Sequence, residues 1–284
     1  MKEAVKYLFR KGVRLYIRTP LRGKTRLRAI TDPLLMPAQL IEFCHVGPCV
    51  VPLSHEHEAT RNMAYDAYEM TELALIRGFV EQGDTVLDIG ANVGFFTAHL
   101  SSFVGPEGRV LSFEPGATPL HYFRQTGESC VYKNVEVIPS AVSGESGEAI
   151  YYETEVILSK GYGRINERPS ARFSQVTEAK VNMISPIDIW KNHGLTRISF
   201  VKIDVEGQEK NIILAFEPIF NLGFFPVLMT EVTNEDRWRK DLEEYSEFLH
   251  SYGYSMRKAA PGLPKIGIDQ LSDHFHGNVF WLRP

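Results

Sequence analysis

The chain has 284 residues, 44% hydrophobic and 23% charged, an ordinary globular composition with enough length for one large α/β domain plus an appendage. A net charge of −4 removes any global bias toward nucleic acid, and three cysteines (Cys44, Cys49, Cys130) without CxxC spacing imply neither a disulfide framework nor a zinc site. No apolar run of about 18 residues offers a membrane span, and no uninterrupted apolar stretch near the start reads as a signal peptide, so a cytoplasmic, reducing setting is expected.

Charge is unevenly spread: residues 1–28 hold ten Lys or Arg against the single Glu3. Val5, Leu8, Phe9, Val13, Tyr16 and Ile17 recur at helical spacing opposite Lys2, Lys6, Arg10, Arg14 and Arg18. This pattern predicts a basic amphipathic helix within an N-terminal extension of about residues 1–60. Two readings stand. Such a helix makes peripheral contact with an anionic membrane surface, or it docks on the acidic remainder of the chain or on a second subunit. Gly12 and Pro20 shorten the helix and favour docking.

Residues 67–80 predict an amphipathic helix ending at Gly83-Asp84. A first strand follows at 85–89, a crossover helix at 94–103 stopped by Gly105-Pro106, and a second strand at 109–113. A short helix at 118–128 and a third strand at 135–139 continue the rhythm. The stretch 149–181 breaks it, with β-prone Tyr151-Tyr152, a polar segment from Gly161 through Ser174 and a strand-like run at 176–184. A loop of that length inside an α/β domain is usually functional, and a lid-like insertion is expected at about 154–176. Ser185, Pro186 and Asp188 form a helix start with a Ser cap, Pro in the first turn and an acid three residues on. Then come a strand at 198–204, a helix at 207–216, a strand at 226–232, a helix at 236–251, and short strands near Tyr254 and at 278–282. Strands separated by helices in this way give a doubly wound, mostly parallel sheet.

The first strand carries the most chemical information. Val86-Leu-Asp88-Ile-Gly90-Ala-Asn92-Val-Gly94 is a buried strand feeding a tight loop and a helix that restarts at Phe95. Twenty residues after Gly94 the second strand ends in Glu114-Pro115, where an acid can accept both hydroxyls of a ribose. That is an adenosine-binding layout. A dinucleotide loop needs glycines for close approach of a pyrophosphate, but Asn92 and Phe95 stand where the second and third would fall, and Asp88 would repel it. S-adenosylmethionine has no phosphate and carries a sulfonium and an ammonium group, which suit an acid-lined loop. An NAD(P)-dependent oxidoreductase shares the layout but suffers from the missing glycines. A non-catalytic partner module built on the same fold is disfavoured by the intact acidic set.

Asp66-Ala-Tyr-Glu69, the run from Asp88 to Thr97, Phe113-Glu-Pro115, Ala141-Val-Ser143 and Lys202-Ile-Asp-Val-Glu-Gly207 together resemble the FkbM-type S-adenosylmethionine-dependent methyltransferases over about residues 65–283. The resemblance implies a class I methyltransferase, Rossmann-like, with a seven-stranded sheet. It also implies methyl transfer to a hydroxyl of a sugar, glycan or small natural product. The family's Leu-Asp-Asp ahead of the fourth strand reads Pro186-Ile-Asp188 here. Asp88, Gly90, Ala91, Asn92, Gly94 and Phe95 are expected around the methionine part of the cofactor, Glu114 and Pro115 at the ribose, and Ser140 and Ala141 beside the adenine. Asp66 and Glu69 are expected, on the resemblance, to close over the site from the preceding helix.

Lys202, Asp204 and Glu206 are spaced two apart at a strand end and face one way, where doubly wound folds place their ligands. A hydroxyl is a weak nucleophile, so methyl transfer to it calls for a base near the acceptor oxygen. Asp204, Glu206 and Glu231 are the candidates, Asp204 also bordering the cofactor. A rival mechanism has the same three acids hold Mg²⁺, although without an Asn or Asp close behind they make a poor cage. Among the histidines, His55, His57 and His276 are placed to reach a cleft. Phe95, Phe96 and Phe103 on the first crossover helix read as core.

Overall fold

A computed structural model of the chain describes residues 40–43, 47–50, 68–129, 133–154, 163–168 and 176–284. The basic helix expected in residues 1–28, together with His55, His57 and Asp66, lies outside the described residues. A short antiparallel hairpin, β1 (Leu40–Phe43) and β2 (Gly47–Val50), precedes the main body.

In chain order the main body runs α1 (Met70–Ile76), β3 (Thr85–Ile89), α2 (Phe95–Val104), β4 (Arg109–Phe113), α3 (Ala117–Ser129) and β5 (Val135–Ile138). It continues with β6 (Ser140–Val142), β7 (Gly147–Thr154), β8 (Gly163–Ile165), β9 (Val176–Ile184), α4 (Pro186–Asn192) and β10 (Phe200–Ile203). The remainder is α5 (Glu209–Leu214), α6 (Glu217–Asn221), β11 (Val227–Thr233), α7 (Asp236–Ser251), β12 (Ser255–Lys258) and β13 (His276–Leu282). Seven strands form one sheet in the order β12-β13-β11-β10-β3-β4-β5, with β11, β10, β3, β4 and β5 parallel and β13 antiparallel to both its neighbours. This is the expected doubly wound, mostly parallel sheet. The chain winds outward from β3 through β4 to β5, then returns to β10 on the other side of β3. The crevice opens at that reversal, at the carboxyl ends of β3 and β10.

Both faces of the sheet are covered, so its central strands are closed to water on both sides. Val86, Val110, Phe200 and Met229 meet α1 and α2 through Ile76, Phe96 and Leu100. Leu87, Leu111, Val201 and Leu228 meet the opposite layer through Ile189, Ile212, Phe216 and Leu242. The start of α4 forms as its sequence dictates: the Ser185 hydroxyl accepts from the Asp188 amide at 3.3 Å, with Pro186 in the first turn. Two helices are shorter than their periodicity suggests. The first begins only at Met70, because Glu69 adopts a left-handed φ of 51°. The one expected at 207–216 starts at Glu209, after Glu206 and Gly207 at φ 51° and 98°, and Pro218 opens a separate helix, α6.

The interruption between β5 and α4 is a second sheet, a feature beyond the lid-like loop expected there. Its order is β6-β9-β7-β8, with β7 antiparallel to both β9 and β8. Of the insertion itself, 163–168 are described, and 163–165 pair as β8 with residues 151–153. Along β7 the side chains of Ala149, Tyr151 and Glu153 are buried in alternation, the period of a half-covered strand. Glu153 ties this sheet to the main body: its carboxylate accepts from the Ala117 and Thr118 amides, both at 3.1 Å, at the start of α3. A negative group satisfying otherwise orphaned amides at a helix N-terminus is stabilising on both counts. Glu153→Ala is expected to lower unfolding free energy by about 1–3 kcal/mol, the cost of stranding amides it now serves. Urea denaturation checks it, and an unchanged midpoint would show that water replaces the carboxylate freely.

Candidate active site

Three neighbouring strands put polar residues in register on the face covered by α2. Lys202 of β10 lies opposite Asp88 of β3, and Asp88 lies opposite Ser112 of β4. Asp88 is fully buried, and one of its oxygens accepts from Thr97 Oγ1 at 2.5 Å. Thr97 also lies 2.8 Å from the Ser112 hydroxyl. Lys202 is 2% exposed, with its ammonium 3.6 Å from Asp88, 3.1 Å from Asp204 and 3.2 Å from the Gly90 carbonyl, and 5.1 Å from the centre of the Phe96 ring. Burial pulls the Lys202 pKa down, but Asp204 and Asp88 more than offset it and hold the ammonium firmly charged.

Above this row lies a cavity lined by Tyr68, residues 90–93, Phe95, Phe96, Phe113, Glu114, Pro115, Ala141, Val142, Tyr151, Gly163, Ile165, Lys202, Asp204, Val205 and Glu206. Gly90 is required by its surroundings: its φ is 77°, and a Cβ there would stand 1.9 Å from the Asp204 carbonyl oxygen. The loop after β3 therefore packs backbone to backbone on the end of β10. Asn92 follows at φ 51°, and its amide donates to Glu114 at 2.9 Å while the Gly116 amide donates to the other Glu114 oxygen at 2.7 Å. Each oxygen keeps a further lone pair, so the carboxylate can still accept from a ligand. Burial raises the Glu114 pKa to about 7, against the lowering effect of the two amides.

Of the expected cofactor residues, Gly90, Ala91, Asn92, Phe95, Glu114, Pro115, Ala141 and Asp204 line the cavity. Asp88 does not; its carboxylate is turned into the sheet toward Thr97 and Lys202 because it is the in-register partner of that lysine. Gly94 stands behind the loop, where a Cβ would meet the Phe123 ring at 2.6 Å. Ser140 is one residue short of the lining, which takes Ala141 and Val142 instead. Glu69 sits beside Tyr68 and accepts from Asn278 at 2.5 Å, with its pKa raised to about 8, first by burial and then by Glu72 and Asp204.

Among the proposed bases, Asp204 and Glu206 both face the cavity. Glu231 does not line it; it pairs with His276 at 3.0 Å and borders an adjoining depression that also touches Glu206, Trp238 and Tyr245. His276 in turn lies 2.9 Å from the Thr233 hydroxyl. Among the described residues, no three His, Cys, Asp or Glu side chains are arranged to hold a metal ion. Sequence reasoning passed over Tyr68, Tyr151, Ile165 and Glu209. Glu209 secures the loop after β10 by accepting from the Val205 and Gly207 amides at 3.3 and 3.0 Å, and burial raises its pKa to about 8. Position two after Glu206-Gly207 was a legible capping signal; the two tyrosines and Ile165 come from elements distant in sequence and gave none.

These residues fit S-adenosylmethionine. Buried Asn92 Oδ1 has no hydrogen-bond partner among the described residues, Glu114 has lone pairs in reserve, and Asp204 and Glu206 put negative charge at a wall otherwise built from aromatic and aliphatic groups. Such walls suit an adenine, and such acids suit a ligand bearing two cationic groups.

The chain is similar to several known proteins. Residues 88–256 match the Methyltransferase FkbM domain. A Protein-L-isoaspartate O-methyltransferase of Methanococcus maripaludis is 25% identical over 147 residues, 51% of this chain and 66% of that protein, just under two thirds of its length. The crystal structure of Methyltransferase FkbM from Methylobacillus flagellatus KT shares 11% identity at a TM-score of 0.43, covering 79% of this chain and 54% of that one. Aeropyrum pernix fibrillarin, solved with natively bound S-adenosylmethionine, shares 13% identity at a TM-score of 0.40, covering 74% of this chain and 73% of that one. The sheet order, the loop after β3 and the match together define an S-adenosylmethionine-dependent methyltransferase. Within that class, the chain belongs to the FkbM methyltransferase family.

Two outcomes are expected. Gly90→Ala forces the loop off Asp204 and should weaken cofactor binding at least about tenfold by calorimetry, since a side chain there is strained as well as obstructed. Glu114 generates the second. Its folded pKa of about 7 lies above the ordinary 4.5, so the stabilisation from its protonated form is complete below pH 4.5 and is lost as pH rises through 7. In the ligand-free protein Glu114→Gln should remove a stability slope of roughly 3 kcal/mol across that window, read from unfolding midpoints against pH. Parallel curves for the two proteins would show that the carboxyl titrates normally.

Proposed function

We propose that the protein is an O-methyltransferase acting on a hydroxyl group of a sugar, glycan or small natural product. The observation that carries this reading is the pair of carboxylates, Asp204 and Glu206, on the wall of the cavity at the carboxyl end of β10. An acceptor carboxylate is already ionised and needs no base, whereas a hydroxyl must lose its proton as the new bond forms. Glu206 borders both the cofactor cavity and the depression beside Glu231, so an acceptor seated in that depression has an acid at its inner edge. S-adenosylmethionine supplies an electrophilic methyl group when bound. The chain's own part is to hold the acceptor oxygen in line and to receive its proton at Asp204 or Glu206.

Glu206 is held at a left-handed φ of 51°, a conformation that costs a non-glycine residue energy and that clusters at functional sites. Gly207 follows with its Cα against Trp238, where a Cβ would meet the indole at 2.3 Å. The turn that presents Glu206 is therefore set from two sides, by Trp238 packing and by the Glu209 carboxylate.

Incubation with cofactor carrying a labelled methyl group and a panel of sugars, nucleotide sugars and polyol acceptors tests the assignment. Label should enter products as a methyl ether that survives mild alkali; a base-labile methyl ester as the product would overturn it. Asp204→Asn and Glu206→Gln keep shape while removing charge. At least one of them is expected to lose about 10²–10⁴-fold in kcat with a thermal midpoint near wild type. Full activity in both would place the base elsewhere, and loss of rate with EDTA restored by Mg²⁺ would favour the metal route.

A further inference from the structure

The buried ammonium of Lys202 touches both halves of the cofactor wall, one of them through the candidate base Asp204. It donates to the Gly90 carbonyl at 3.2 Å and to Asp204 at 3.1 Å, while Asp88 faces it at 3.6 Å. These are the two groups whose backbones meet where no side chain fits between Gly90 and the Asp204 carbonyl. Of the three donors of the ammonium, two are taken by the Gly90 carbonyl and Asp204, and Asp88 adds its charge at ion-pair distance. The centre of the Phe96 ring lies 5.1 Å from the Lys202 ammonium, and both residues border the cavity. A lysine that is 2% exposed beside the site of a cationic ligand would be repulsive on its own. Flanked by two acids it leaves that side of the pocket net negative.

We propose that Lys202 is a positioning residue for the methyl donor: it fixes the Gly90 carbonyl and the Asp204 carboxylate relative to one another, and cofactor affinity depends on that fixed separation. The inference rests on the S-adenosylmethionine dependence of the enzyme and not on the identity of the acceptor. A merely structural lysine would matter only because its loss strands Asp88 as a buried, unpaired charge, and that injury disappears when Asp88 is neutralised as well.

The test is calorimetric titration of S-adenosylmethionine and its demethylated product into wild type, Lys202→Met and the double variant Asp88→Asn/Lys202→Met, with thermal midpoints measured alongside. Lys202→Met alone is expected to lose stability. The double variant, which buries no unpaired charge, is expected to recover most of the midpoint yet to bind either ligand about tenfold or more weakly than wild type. In turnover assays it should show a raised KM for the donor beyond any fall in kcat. A double variant that binds as tightly as wild type overturns the inference while leaving the cofactor assignment intact. Wild type that binds neither ligand overturns both.

Discussion

Asp88 and Lys202 face each other across β3 and β10, at the point where the winding of the sheet reverses. Neither side chain has access to solvent worth the name, and desolvating two charges costs several kcal/mol apiece. Such a pair persists only where neighbours hold it: Thr97, itself bonded to Ser112, donates to one Asp88 oxygen, the other Asp88 oxygen faces the lysine at ion-pair distance, and Gly90 and Asp204 accept from the ammonium. The consequence reaches the function directly. The loop that cradles the cofactor and the acid beside it are attached to the same buried ammonium, so the two walls of the crevice are built as one unit.

Acids outnumber cations around that unit. Glu69 and Glu114 have their pKa values pushed up to about 8 and 7, chiefly by burial, with Glu72 and Asp204 acting on the first and Glu153 on the second. Burial is the first cause in both, so these carboxyls resist ionisation chiefly for want of solvent. A ligand bearing a sulfonium and an ammonium group suits these acidic surroundings better than an anionic nucleotide does.

The second sheet completes the enclosure. Tyr151 and Ile165 face the cavity from β7 and β8, and a Cβ at Gly163 would collide with the Tyr151 hydroxyl at 1.7 Å, so the two strands must close tightly there. Glu153, two residues from Tyr151 on the same face of β7, is fastened to the amino end of α3. A cap that stabilises a helix thus also places a wall of the active site. From the same region Arg164 reaches the Trp238 ring, 5.6 Å to its centre, and Trp238 backs the turn that presents Glu206.

The strands at 85–89 and 109–113 and the helix at 236–251 were legible in full, because runs closed on both faces and a long amphipathic stripe are local properties of the chain. The loop from Gly90 to Gly94 and the acid at Glu114 were legible for a similar reason: close backbone approach demands glycine, and the acid ends a strand of readable length. What sequence could not give was direction and partnership across distance. Asp88 looked like a ligand-facing acid, but register with Lys202, 114 residues away by number, turned it inward. Glu231 shared the spacing of a strand-end acid with Asp204, but antiparallel pairing with β13 put His276 beside it and drew it off the cavity. Tyr151 read only as β-prone and Ile165 only as part of a lid-like insertion, because nothing local says that these two segments will pair into a sheet over the site. The sequence determined the elements and the cofactor chemistry; which side chains face the ligand was decided only when the strands took their register.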